Sequence, residues 1–89
     1  MHFEWDAGKN ERNIRERGIG FDYAARVFHG RMVIWPDTRK DYGEAREIGM
    51  GEIDGRVFVV VWTWRGPDLC RIISARKANG KETTRYWEG

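Results

Sequence analysis

The chain has 89 residues, with 16 Lys and Arg against 14 Asp and Glu; this allows one domain (residues 1–89) with a single modest core. The net charge of +2 argues against indiscriminate polyanion binding, and a hydrophobic content of 40% with five Trp, four Phe and three Tyr excludes a disordered segment. A lone Cys70 excludes an internal disulfide, one Cys with two distant His builds no zinc site, and the longest apolar run, Val57 to Trp62, is far short of the ~20 residues of a membrane span.

Phe3 and Trp5 alternate with His2, Glu4 and Asp6, as in a short edge strand. Asp6 is a good N-cap for a first helix over residues 7–17, which Gly18 closes as the residue beyond its C-terminus. The helix is mostly polar, with Lys9, Arg12, Asn13 and Glu16 recurring at helical spacing. Phe21, Ala24, Ala25 and Phe28 then fall at i, i+3, i+4 and i+7, which predicts a second, amphipathic helix packed on a sheet. Met32 to Trp35 read as a strand stopped by Pro36, and a charged loop from Asp37 to Gly43 follows, containing Thr38, Arg39, Lys40 and Asp41.

Three strands are expected next, over residues 45–53, 56–65 and 69–76. Asp54-Gly55 signals a type I′ hairpin, and Gly66-Pro67-Asp68 signals a turn. Both faces of the stretch Arg56 to Trp64 are apolar, the mark of a central strand covered on both sides, so Trp62 and Trp64 read as core residues before they read as a base-stacking platform. Strict alternation along the last strand sends Arg71, Ile73 and Ala75 to one face and Ile72, Ser74 and Arg76 to the other. Asn79 with Glu82 three residues later is a capping box that starts a final helix carrying Arg85 and Tyr86. The expected fold is α+β: a mostly antiparallel twisted sheet of four to five strands, with two N-terminal helices and one C-terminal helix.

Charge is divided unevenly. Residues 1–55 carry nine cations and eleven anions and residues 56–89 carry seven and three, so the basic excess lies at the end of the chain, where an apolar strand runs into Arg76 and Lys77. That is a surface suited to a phosphodiester.

The ordered set Phe3-Glu4-Trp5-Asp6, Lys9-Asn10, Asn13, Gly18, Phe21, Ala24-Ala25, Val27-Phe28, Gly43-Glu44, Arg46, Gly49, the run Arg71 to Ala78, Glu82 and Tyr86 resembles the BrnT-like toxins over nearly the whole chain. The resemblance implies a RelE/ParE-like fold and a type II toxin that cleaves RNA and blocks translation; the short apolar runs and the lack of a signal-peptide h-region give the expectation of a cytoplasmic protein. The resemblance also implies neutralisation by a BrnA-like antitoxin with a ribbon-helix-helix DNA-binding domain, the complex repressing its own promoter, so that operator DNA is reached only through the antitoxin. No cofactor, metal or membrane is implied. At the end of the first helix, where the family usually reads Lys-His-Gly, this chain has Glu16-Arg17-Gly18. The imidazole best suited to proton transfer near neutrality is absent there.

Metal-independent RNA cleavage needs a group to take the 2′-hydroxyl proton, a group to protonate the leaving oxygen, and cations around the phosphate. Arginine suits the last task because its planar fork binds phosphate oxygens in pairs. The candidate catalytic residues are Arg65, Arg71, Arg76 and Lys77, with Glu82 as a possible base whose competing role is the helix cap. Lys9, Arg12 and Arg17 from the first helix, and Tyr86 from the last, are candidate substrate contacts; packing of the Tyr86 ring in the core is the alternative. His2 and His29 have no neighbours that mark them as bases. A non-catalytic binding module and a gyrase-poisoning ParE-like toxin are the competing functions on the same scaffold.

Overall fold

Five strands, β1 (His2–Trp5), β2 (Met32–Pro36), β3 (Glu47–Ile53), β4 (Arg56–Gly66) and β5 (Leu69–Lys77), form one sheet in the computed structural model, which describes residues 1–89. The strand order is β1-β5-β4-β3-β2; β2 to β5 form an antiparallel meander and β1 joins the outer edge parallel to β5. Helix α1 (Ala7–Arg17) follows β1, α2 (Phe21–Ala24) runs into a 3₁₀ segment (Ala25–His29), and α3 (Gly80–Glu88) ends the chain. The fold is the expected α+β class. No helix is long and apolar enough to cross a membrane.

Local chemistry accounts for the element ends. Asp6 accepts a hydrogen bond from the Lys9 amide at 2.9 Å at the start of α1, and Gly18, at φ 70°, closes it with its amide on the Ile14 carbonyl. Asp54 and Gly55 both adopt positive φ, as the β3–β4 hairpin requires. The second helix departs from its expected span of 21–28 by tightening into a 3₁₀ turn after Ala24. Phe21, Ala24 and Val27, three apart, are each fully buried, which is the eclipsed spacing of 3.0 residues per turn. The tightening seats Val27 on Gly51 of β3, where an added Cβ would lie 2.7 Å from the Val27 Cβ.

Two cores lie on opposite faces of the sheet. On the first face, Phe58, Val60 and Trp62 of β4 pack with Cys70, Ile72 and Ala75 of β5 beneath Ile19, Phe21 and Val27. On the second face, Val57, Val59 and Val61 pack with Ile48, Met50 and Tyr86 of α3. Burial pushes the Cys70 thiol up to about 12, so it is inert.

A β-bulge overturns the strict alternation expected for β5. Trp62 pairs with Ile72 and Val61 with Ser74, leaving Ile73 as the extra residue. Because Thr63, Val61 and Val59 share one face, their partners Arg71, Ser74 and Arg76 share it too, while Ala75 and Lys77 face the first core. Strand β1 covers β5 only from Leu69 to Ile72. Beyond it, α1 completes the edge: Asn13, buried, donates to the Ala75 carbonyl at 3.0 Å and the Ile19 carbonyl at 2.9 Å and accepts from the Ala75 amide at 3.4 Å. A side-chain amide thus takes the place of a neighbouring strand, and Arg17 is held on the same carbonyl at 3.2 Å.

Candidate functional site

The open end of β5 on the second face carries a cavity of about 270 Å³ lined by Arg17, Arg39, Arg76, Ser74, Trp35 and Glu82 over Ile48, Val59 and Val61. Its elements meet for separate reasons. The bulge turns Ser74 and Arg76 inward, the Asn13 bridge sets the end of α1 and therefore Arg17, and the capping box of α3 places Glu82. A second cavity of about 240 Å³, lined by Lys9, Arg12, Asn13, Glu16 and Ile73, shares Arg17 and Ser74 with the first. The two form one trench along α1.

Carboxylates aim the guanidiniums. Glu82 grips Arg76 end-on, Nη1 at 2.7 Å and Nη2 at 2.8 Å, and also accepts from the Asn79 amide at 2.9 Å. Asp37, whose side chain is fully buried, grips Arg39 side-on, Nε at 2.8 Å and Nη2 at 2.7 Å. With five N–H donors per guanidinium, Arg76 keeps its Nε/Nη2 edge and Arg39 its Nη1/Nη2 end for another acceptor. The hydrogen bonds from Arg76 hold the Glu82 carboxyl at about 2 despite its partial burial, and those from Arg39 do the same for Asp37. Arg76 is raised in turn by Glu82, while the positive charge of Arg39 opposes that rise. Three guanidiniums against two carboxylates leave the cavity one positive charge in excess.

Of the residues singled out in the sequence, Arg76, Glu82 and Arg17 line this cavity, and Lys9 and Arg12 line its extension. Arg71 shares the face but sits about 15 Å along the strand, paired with Glu4 at 2.8 Å. Arg65 lies at the far end of β4, 3.6 Å from Glu44. Lys77 points to the opposite face, where it lines a different groove. Tyr86 is a core residue, 3% exposed, whose hydroxyl donates to the Arg31 carbonyl at 2.8 Å, which corrects its assignment as a substrate contact. Glu82, as an ionised group with a carboxyl held near 2, is a poor proton acceptor. Arg39, Trp35 and Ser74 were not singled out; the one signal for Arg39 is its place in a charged loop two residues after Asp37. Neither His2 nor His29 lines a cavity, and no three His, Cys, Asp or Glu side chains converge as metal ligands would.

The sequence profile of the family described as "Ribonuclease toxin, BrnT, of type II toxin-antitoxin system" matches residues 5–82, a span that includes Arg17, Arg39, Arg76 and Glu82. The chain belongs to the BrnT toxin family. A crystal structure of the Brucella abortus ribonuclease toxin BrnT superposes with a TM-score of 0.71 at 26% identity, covering 89% of this chain and 97% of that one. No curated protein sequence matches the chain significantly. Membership in the BrnT family makes this chain a type II toxin, and such a toxin has an antitoxin as its partner.

Proposed function

We propose that this toxin is an endoribonuclease that inhibits translation by cutting RNA at the Arg17, Arg39 and Arg76 cavity, and that a BrnA-like ribbon-helix-helix antitoxin silences it. The observation that carries this reading is the pair of arginines fixed by buried or capped carboxylates with complementary donor edges left open. In the reaction the 2′-oxygen bonds to phosphorus, the bond from phosphorus to the 5′-oxygen breaks while water gives that oxygen a proton, and a 2′,3′-cyclic phosphate and a 5′-hydroxyl end result. Negative charge grows on the non-bridging oxygens, where Arg76 and Arg39 offer paired N–H groups and Arg17 a third charge. Donors fixed in advance need no reorganisation, and a single such donor is worth about 3–4 kcal/mol in other enzymes. Glu82 acts as a positioning residue for Arg76.

With no imidazole in the trench and its carboxylates Glu16 and Glu82 held by Arg12 and Arg76, solvent hydroxide takes the 2′-hydroxyl proton, so the rate rises with pH through neutrality instead of levelling near 6.5. The same lack of a free base favours a second reading, a binding module that has kept the scaffold without the chemistry. Induced expression of wild type and Arg76→Lys without antitoxin, with mapping of RNA ends, separates the two. Growth arrest with new 5′-hydroxyl ends, both lost in folded Arg76→Lys, supports cleavage. Intact RNA and normal growth with soluble, folded wild type overturns it.

A further inference from the structure

On the first face of the sheet, behind the arginine cavity, lies a groove of about 530 Å³, the largest concavity of the molecule. Ile19, Ile53 and Phe58 form its apolar floor and Tyr23, Arg56 and Lys77 its sides. Neither Arg56 nor Lys77 has a carboxylate partner, and the acid on the rim, Asp54, is taken by Arg26 at 3.4 Å and the Tyr23 hydroxyl at 3.5 Å. The groove is therefore an apolar floor between two unpaired cations.

We propose that this groove docks an acidic segment of the antitoxin, with one apolar side chain on the Ile19, Ile53 and Phe58 floor and carboxylates on Arg56 and Lys77. The proposal rests on the toxin–antitoxin partnership and not on RNA cleavage. Charge complementarity names the partner's chemistry, and the groove's walls favour a peptide over RNA. A base needs an open ring face to stack on. Phe58 is only 4% exposed, and Tyr23 meets Phe58 edge-on at 5.7 Å and carries the Arg26 guanidinium 5.2 Å from its ring centre.

Position supports the same occupant. Adjacent residues Arg76 and Lys77 point to opposite faces, and adjacent Arg17 and Gly18 line the cavity and the groove respectively. A chain rounding this end of the sheet reaches both sites. A stable complex buries about 800 Å² on each partner, roughly one seventh of the 5603 Å² surface here, more than the small arginine cavity offers alone.

The test is calorimetric titration of the cognate antitoxin against wild type, Arg56→Glu and Arg56→Lys at low and high salt, with growth followed with and without antitoxin. Arg56 is exposed, so charge reversal leaves the fold intact, as circular dichroism checks. The expected result is at least a tenfold loss of affinity and a flatter salt dependence for Arg56→Glu, near wild-type binding for Arg56→Lys, and unchanged toxicity of both without antitoxin. Unchanged antitoxin affinity in Arg56→Glu overturns the proposal. So does loss of toxicity in that variant without antitoxin, which assigns the groove to RNA. Because calorimetry reads binding alone, an inactive wild type counts against the cleavage reading and leaves this test intact.

Discussion

Replacing Glu82 by Gln separates its possible roles, because glutamine keeps the capping box and removes only the charge that grips Arg76. The fall of the carboxyl from 4.5 to about 2 corresponds to about 3 kcal/mol in full. Arg76 is 42% exposed, so solvent screening reduces the contribution to about 1–2 kcal/mol. For a domain of this size each kcal/mol is worth roughly 4–8 °C in Tm. The unfolded chain binds the proton more tightly, so this stability is fully present above about pH 4.5 and is lost as pH falls toward about 2. Asp37 titrates over an overlapping range through Arg39, so the readout is the difference between wild type and Glu82→Gln in urea melts at pH 7 and near pH 2.5. The variant should be destabilised at pH 7 and close to wild type at the acid end, with RNA cleavage reduced less than about tenfold. An equal deficit at both pH values refutes the charge pairing. A loss of cleavage above about a hundredfold with unchanged RNA affinity refutes the positioning role and makes Glu82 the general base.

Arg17→His supplies an imidazole at the rim of the trench, and the pH–rate profile should change from a steady rise to one that levels near 6.5; an unchanged profile in RNA cleavage assays shows that this position does not reach the 2′-hydroxyl. Asn13→Ala leaves the Ala75 and Ile19 backbone groups without their buried partner and should cost about 2–4 kcal/mol in denaturant melts, with Arg17 less well placed and cleavage falling as well. Gly51→Ala drives a Cβ to 2.7 Å from the Val27 Cβ and 3.2 Å from its carbonyl oxygen, where backbone cannot yield; the expected loss is about 1–3 kcal/mol in the same melts.

Features determined within a few residues were legible in the sequence: the Asp6 cap and Gly18 stop of α1, the Asp54-Gly55 hairpin, the Asn79–Glu82 capping box and a β4 buried on both faces from Val57 to Thr63, although Trp64, expected in the core, is 42% exposed. Each depends on contacts between near neighbours or on one strand's own pattern. The 3₁₀ segment was not legible, because it answers to the missing side chain of Gly51 on a distant strand. Nor was the parallel seat of β1, since alternation in Phe3 and Trp5 says nothing of direction. The bulge has the larger consequence for the site. Nothing in Arg71 to Lys77 marks Ile73 as an extra residue; only the register against β4 does, and it decides which cations share a face.

The same long-range dependence explains why cations that lie together near the end of the chain are parted by the fold. Arg76 gains its place from the bulge, Arg17 from an amide bridging α1 to the unpaired edge of β5, and Arg39 from a buried aspartate outside the regular elements. Three independent devices converge on one cavity, and two of its guanidiniums, Arg39 and Arg76, are each fixed by a carboxylate that leaves the opposite edge free. A surface merely solvated by arginine would not bury an aspartate to orient one. The arrangement therefore favours a site that holds an anion in a defined pose. What it lacks is a proton acceptor free of an arginine partner, which places the chemical burden on electrostatics and makes the pH profile the sharper guide to mechanism.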